Sequence, residues 1–217
     1  SCAGPWDPPA TTACERIVEA FAEFHAFWWD HPALHDTAGS GELAVLRRAA
    51  PLPTEASVAE DAASAQAVFG HFADAAGDRL KRTQRQLYEQ ALAELPKLRQ
   101  RVLRGQGLTL IHGDANLTNV LLPRRPERDR ALVIDWQLWG GSFAAEDLAH
   151  LMPLYWARGD RQRVERPMLE RYHQSLVAHG VAGYAWDDCW HDYRLAVILR
   201  TCFMPMWFWN SGSPEAW

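Results

Sequence analysis

Lysine is nearly missing from this chain. Of 22 basic residues only Lys81 and Lys97 are lysine, so any chemistry that needs a primary ammonium falls on those two positions. Cysteine is scarce too. Cys2, Cys14, Cys189 and Cys202 lie far apart, form no CxxC pair and sit in a chain too long to need stapling, so we read them as reduced thiols. There is no long hydrophobic run: the stretches Leu195 to Leu199 and Cys202 to Trp209 are short and separated by Arg200, so no bilayer span is expected. No segment has the form of a signal peptide. An excess of positive charge is also lacking. A net charge of −5 and a pI near 6.0 exclude a sequence-independent grip on nucleic acid or an anionic membrane. These absences predict a cytoplasmic protein whose partners are small molecules.

What is present suffices for one large domain. The 217 residues are 48% hydrophobic and 23% charged, which excludes disorder as the dominant state, and they include eleven Trp. The chain opens on Ser1 and not Met, and stops at Trp217 soon after the run Trp207, Phe208, Trp209. We expect truncation at both ends. Apolar spacing predicts a helix from Thr11 or Thr12 to Asp30 through Ile17, Phe21, Phe24 and Trp28. Further helices are expected over Ala59 to Ala76 and over Arg79 to Arg104, the second carrying Leu80, Leu87, Leu92 and Leu95. The period then changes. Leu108 to Ile111, Val120 to Leu122 and Ala131 to Ile134 read as short strands, with Pro123 to Arg130 a polar hairpin loop. Helical spacing returns with Leu148, Leu151, Met152 and Tyr155, then with Leu169, Tyr172 and Leu176 up to Gly180, and from Trp190 to about Phe203. The fold class is therefore α+β, mostly α, with a small β insert.

That insert holds the chemistry. His112-Gly113-Asp114 is followed by Asn116 and Asn119, and the next strand ends on Ile134-Asp135-Trp136. An Asp and an Asn separated by four residues on a loop, with a second Asp at the following strand end, gather three oxygen-bearing side chains at one place. Mg²⁺ prefers few protein oxygens, completed by water and phosphate. Asn119 and Asp135 suit the metal, and Asp114 is left to orient a hydroxyl.

With Glu146-Asp147-Leu148-Ala149 further on, these residues resemble the catalytic loop, metal segment and following helix of the aminoglycoside phosphotransferase and choline kinase-like superfamily. Within it the chain is most similar to the ecdysteroid kinase-like branch, through Phe24-His25-Ala26-Phe27-Trp28, Tyr172-His173 and Gly180-Val181. The resemblance covers nearly the whole chain. It implies an O-phosphotransferase using ATP or GTP with Mg²⁺, Asp114 as the base for the acceptor hydroxyl, and Asn119 and Asp135 on the metal. It further implies that Asp147 braces the loop through backbone amides and that His112 packs beneath it. Asn116 is either a γ-phosphate contact or a solvent-facing loop amide.

Such an enzyme also needs a phosphate-covering loop and a strand lysine for the α and β phosphates. Lys81 and Lys97 lie in helical sequence, and Gly39-Ser40-Gly41 and Gly105-Gln106-Gly107 are followed by no strand-lysine pattern. The expectation is that residues 1–217 form only the C-terminal lobe of a kinase-like fold, with weak or absent turnover on their own. Two other readings compete: a catalytically silent nucleotide- or ligand-binding module, and a protein kinase. Retention of Asp114, Asn119 and Asp135 together speaks against the first. Against the second stand Gly113 where protein kinases carry Arg, Trp136 in place of Phe with no Gly after it, and the lack of an APE-type segment.

The remaining candidates read as structure. His25, His31 and His35, like His150, His173, His179 and His191, lack ligand spacing and are expected to be ordinary helix or loop residues. Arg158, Arg161, Arg163 and Arg166 alternate with Asp160 and Glu165 as a solvated helix face. Trp136, Trp139, Trp207 and Trp209 could wall a pocket for an apolar, polycyclic or cationic alcohol, although any single Trp is more simply a packing residue.

Overall fold

The computed structural model describes residues 11–35, 52–124, 129–153 and 158–211, with side chains as far as Arg200 except that of His35. Helix α1 spans Thr11–Trp28 and is followed by the single turn α2, Pro32–His35. Helices α3, Glu55–Ala76, and α4, Arg82–Leu98, form a hairpin around a 3₁₀ turn at Gly77–Arg79, and a short α5 covers Gln100–Leu103. Four small strands follow: β1 Thr109–Ile111, β2 Val120–Leu121, β3 Leu132–Val133 and β4 Gly140–Ser142. Helices α6, Ala145–Leu151, α7, Arg158–Ala178, and α8, Trp186–Ser211, complete the fold. Among the described residues no helix is long and apolar enough to cross a membrane.

The three- and four-residue spacing in α1 puts Ile17, Val18, Phe21 and Ala22 on one face, fully buried against Leu148, Leu151 and Met152 of the α6 region and Leu169, Tyr172 and Leu176 of α7. Each of the larger aliphatic and phenyl side chains contributes about 1.5–3 kcal/mol through burial, and α1, anchored on α7, is a firm floor for β1 and β3. Cys14 and Cys189 lie inside this core as thiols, and burial pushes them up to about 11 and about 12. Cys2 and Cys202 lie outside the described side chains.

Several elements differ from expectation, each for a local reason. Helix α3 begins at Glu55, four residues before Ala59, because Thr54 and Ser57 exchange hydrogen bonds: Ser57 N donates to Thr54 Oγ1 at 3.1 Å and Thr54 N to Ser57 Oγ at 2.9 Å. The stretch Arg79 to Arg104 is not one helix. Gly77, at φ +52°, ends α3 and leaves Arg79 in a 3₁₀ turn. Pro96 supplies no N–H to the ladder, and at Arg99 the bonding shifts to the i−3 carbonyl, with Val102 N donating to Arg99 O at 3.1 Å. Leu92 and Leu95 are buried, yet Leu87 is 64% exposed on the outer face of α4.

The β insert is two antiparallel pairs. One pairs Thr109 with Ser142, Leu110 with Gly141 and Ile111 with Gly140; the other pairs Val120 with Val133 and Leu121 with Leu132. Strand β4 is absent from the sequence reading because Gly140-Gly141-Ser142 has no β-forming side chain. It forms because buried β1 needs hydrogen-bond partners for its backbone.

Two latches set where β1 begins. Asp30 N donates to Leu108 O at 2.7 Å, and Leu108 N donates back to Asp30 Oδ1 at 3.0 Å. Arg101 grips Asp192 of α8 through Nε and Nη2 at 2.8 and 2.9 Å, and also donates to the carbonyls of Gln106 and Gly107. The Gly105-Gln106-Gly107 turn is thus fastened by Arg101. The arginine face of α7 is only partly solvated. Arg163 pairs with Asp160 and Arg166 with Glu170, but the Arg166 guanidinium also lies 5.6 Å from the ring of Trp186, and Arg161 turns toward Glu165, which accepts from the Tyr193 hydroxyl.

Candidate active site

The loop after β1 is shaped by a glycine. Gly113 has φ +82°, and a Cβ there would stand 2.0 Å from the backbone oxygen of Leu138, so the loop can approach the Trp136–Leu138 turn only without a side chain. An arginine at this position, as in protein kinases, has no room.

Helix α6 holds the loop from below. Asp147, fully buried, accepts from His112 N at 2.6 Å and Gly113 N at 2.9 Å. His25 of α1 donates from Nε2 to Asp147 Oδ2 at 3.1 Å and shares its Nδ1 with the Tyr172 hydroxyl of α7 at 2.7 Å. Burial pushes the Asp147 carboxyl up, but the hydrogen bond and attraction of His25 and the two loop amides outweigh it and hold the group below its ordinary value.

His112 is equally buried and links the two halves of the site. Its Nε2 donates to Ile134 O at 2.9 Å, immediately before Asp135, and its Nδ1 accepts from Asp114 N at 3.3 Å. Its ring meets Trp136 and Phe21. Asn119, 7% exposed, commits its amide hydrogens to Asp114, reaching Oδ2 and the backbone oxygen at 3.0 Å each. Ile134 N donates to Asn119 O at 2.9 Å, which extends the β2–β3 register and sets Asn119 beside the Asp135 segment.

Asp135 is exposed, at φ +62°. A non-glycine residue in the left-handed region costs of order 1 kcal/mol and persists where surrounding contacts impose it, here the bonds at Ile134 and the turn that follows. Asn119 Oδ1 and the Asp135 carboxylate are hard oxygen donors of the kind Mg²⁺ takes alongside phosphate. Among the described residues no three His, Cys, Asp or Glu side chains converge as a metal site.

Asn116 caps the 3₁₀ turn Leu117–Asn119, its Oδ1 accepting from Thr118 N at 2.9 Å. That oxygen is therefore engaged within the loop. Trp136 is half-buried, its ring inclined at 58° to Phe24 with 4.6 Å between centroids, and it donates from Nε1 to Val133 O at 3.0 Å. Trp139 is half-buried on the next turn. The side chains of Trp207 and Trp209, together with Tyr155 and Gly39-Ser40-Gly41, lie outside the described residues.

Sequence reasoning missed His25, His150, Glu146 and Arg200. His150, 2% exposed, stands 3.1 Å from Asp114 Oδ1 through its Nε2. Buried Glu146 accepts from the Ser142 hydroxyl at 2.6 Å and faces Arg200 Nη2 at 3.2 Å, and Arg200 reaches Gly113 O at 3.4 Å. One clue was available: Asp147 and His150, three apart on a helix, share a face.

Burial first, then the charge of Arg200, push the His150 imidazole down to about 4, against the pull of Asp114 and Asp147. The unfolded chain takes up a proton near pH 6.5 that native His150 refuses until about pH 4. The contribution of His150 to stability is therefore fully present above pH 6.5 and is lost as pH drops toward about 4, by about 3 kcal/mol in all. Urea midpoints at pH 7 and pH 4.5 should show this loss, and His150→Phe should remove most of it.

No curated protein and no solved structure matches the chain, but a model of the phosphotransferase enzyme family, APH, matches residues 5–187. With the loop, its bracing aspartate and the Asn119–Asp135 pair in place, the chain belongs to that family, within the aminoglycoside phosphotransferase and choline kinase-like superfamily.

Proposed function

We propose that the chain is the C-terminal catalytic lobe of an ATP- or GTP-dependent O-phosphotransferase acting on a hydroxyl of a small molecule. The observation that carries this reading is the Asp114–Asn119 contact beside Asp135: a carboxylate 33% exposed, held by an amide whose remaining oxygen and a neighbouring carboxylate suit a magnesium ion. Asp114 would accept the acceptor's hydroxyl proton as the oxygen bonds to the γ-phosphorus and the bond to the bridging β-phosphate oxygen breaks, releasing ADP or GDP. The carboxylate has lone pairs for this beyond the contacts it makes with Asn119 and His150. Asn119 and Asp135 would hold Mg²⁺, which supplies neutralisation of phosphate charge.

The lobe reading is supported by the lysines and by an apolar surface. Lys97 is exposed on α4 and Lys81 begins that helix, so neither belongs to the site. Leu121 and Leu132, a cross-strand pair, are 51% and 60% exposed, and Ile134 and Leu138 are exposed beside them. A separate nucleotide lobe bearing the phosphate-binding lysine would cover this surface. For the acceptor we keep the apolar, polycyclic or cationic alcohol, with Trp136, Trp139, Trp207 and Trp209 as the candidate wall, and a cytoplasmic setting. The ecdysteroid kinase-like placement is part of the proposal; two of its marker residues, His25 and Tyr172, meet over Asp147.

The test is release of ADP or GDP by the full-length protein with Mg²⁺ and a panel of hydroxylated compounds, alongside Asp135→Asn. Acceptor-dependent release is expected, and the variant should bind Mg²⁺ at least tenfold more weakly with little change in melting temperature, since Asn tolerates the left-handed backbone. A panel that never raises release above background, or unchanged Mg²⁺ affinity in the variant, would refute the reading. Robust turnover by the 217-residue chain alone would refute the lobe assignment.

A further inference from the structure

We propose that His150 is a positioning residue for the catalytic base, its Nε2–H fixing one oxygen of Asp114 while Asn119 fixes the other. This rests on the reading of Asp114 as the base. His150 Nε2 lies 3.1 Å from Asp114 Oδ1, and Asn119 Nδ2 lies 3.0 Å from Oδ2. An ionised carboxylate only accepts hydrogen bonds, so the shared proton belongs to the imidazole. The two donors come from independent elements, α6 and the turn before β2, and together they restrain rotation of the carboxylate.

The same helix thus grips the loop twice. Asp147 holds the amides of His112 and Gly113, and His150, one turn later on the same face, holds the side chain that those residues carry into the site. The charged groups that act on His150 are Arg200 on α8, Asp114 on the loop and Asp147 on α6 itself, and Arg200 is in turn paired with Glu146. Arg200 and burial keep the imidazole neutral, with a single proton to give. A group so hard to protonate is a poor sink for the proton that Asp114 would take from substrate, so it acts by orientation and not as a relay.

The experiment uses the full-length protein with MgATP, water serving as the default acceptor, and three variants. His150→Phe keeps the ring and drops the donor; His150→Gln restores an N–H within reach; Asp114→Ala reports on the base itself. His150→Phe should lower kcat about tenfold or more with the KM for MgATP within about twofold, and His150→Gln should recover most of that loss. In ¹⁵N-histidine-labelled protein, two-bond proton–nitrogen correlations should show His150 neutral with its proton on Nε2 from pH 5.5 to 8. A proton on Nδ1, or titration of His150 in that range, overturns the proposal whether or not turnover is measurable. Unchanged kcat in His150→Phe, where Asp114→Ala abolishes turnover, overturns it and leaves the base assignment standing. Unchanged turnover in Asp114→Ala refutes the base assignment instead.

Discussion

Asp114→Ala is expected to reduce phosphoryl transfer by the full-length protein 10²- to 10⁴-fold, about the contribution of a positioned general base. The fold should survive the change. Asp114 is one-third exposed and belongs to no buried charge pair of the core, and Asn119 keeps its bond to the Asp114 backbone oxygen. Among the described residues His150 and one Asn119 contact lose a partner, a cost of about 1–3 kcal/mol. Single-turnover rates with saturating MgATP, read beside a melting curve, separate the two effects. A loss of rate that tracks a loss of folded protein would count against the assignment.

Asp147→Ala should do the opposite and strike the fold first. Its carboxylate is inaccessible to water and receives the N–H groups of His112 and Gly113 and the imidazole of His25. Removing it strands three donors in the core, each worth about 1–3 kcal/mol when left unsatisfied, for a combined loss of about 4 kcal/mol. In a chain of this size that lowers the melting temperature by about 10 °C. Asp147→Asn should recover little, because an amide presents donors where three donors already converge. Thermal melts of the two variants beside the wild type test this directly; retention of the wild-type melting temperature would show that the brace is dispensable. Any protein that stays folded should also have lost activity, since the loop that carries Asp114 hangs from this carboxylate.

Much of the site was legible because its parts are close in sequence. His112, Asp114 and Asn119 lie on one loop, and Asp135 follows at the end of a hairpin strand; short loops leave the chain few ways to place them apart. Helix α1 was legible too, because a three- and four-residue apolar period has a single helical solution. The boundaries that failed turned on one or two residues each: the Thr54–Ser57 box, the missing N–H of Pro96, and a glycine strand that pairs only because β1 is there to pair with.

Other features were not recoverable from local order. His25, His150 and Arg200 carry no spacing that marks them, and as isolated residues each reads as ordinary helix sequence. Their roles arise where α1, α6, α7 and α8 pack together: His25 meets Asp147 across 122 residues of chain, and Arg200 reaches Gly113 across 87. The scarcity of lysine excludes a phosphate-gripping ammonium from the β insert on sequence grounds alone, because composition needs no folding to be read. Which buried polar groups brace the loop depends on desolvation. A hydrogen bond removed from water must find its partner among whatever side chains the packed helices bring to that point, and only the tertiary structure decides which those are.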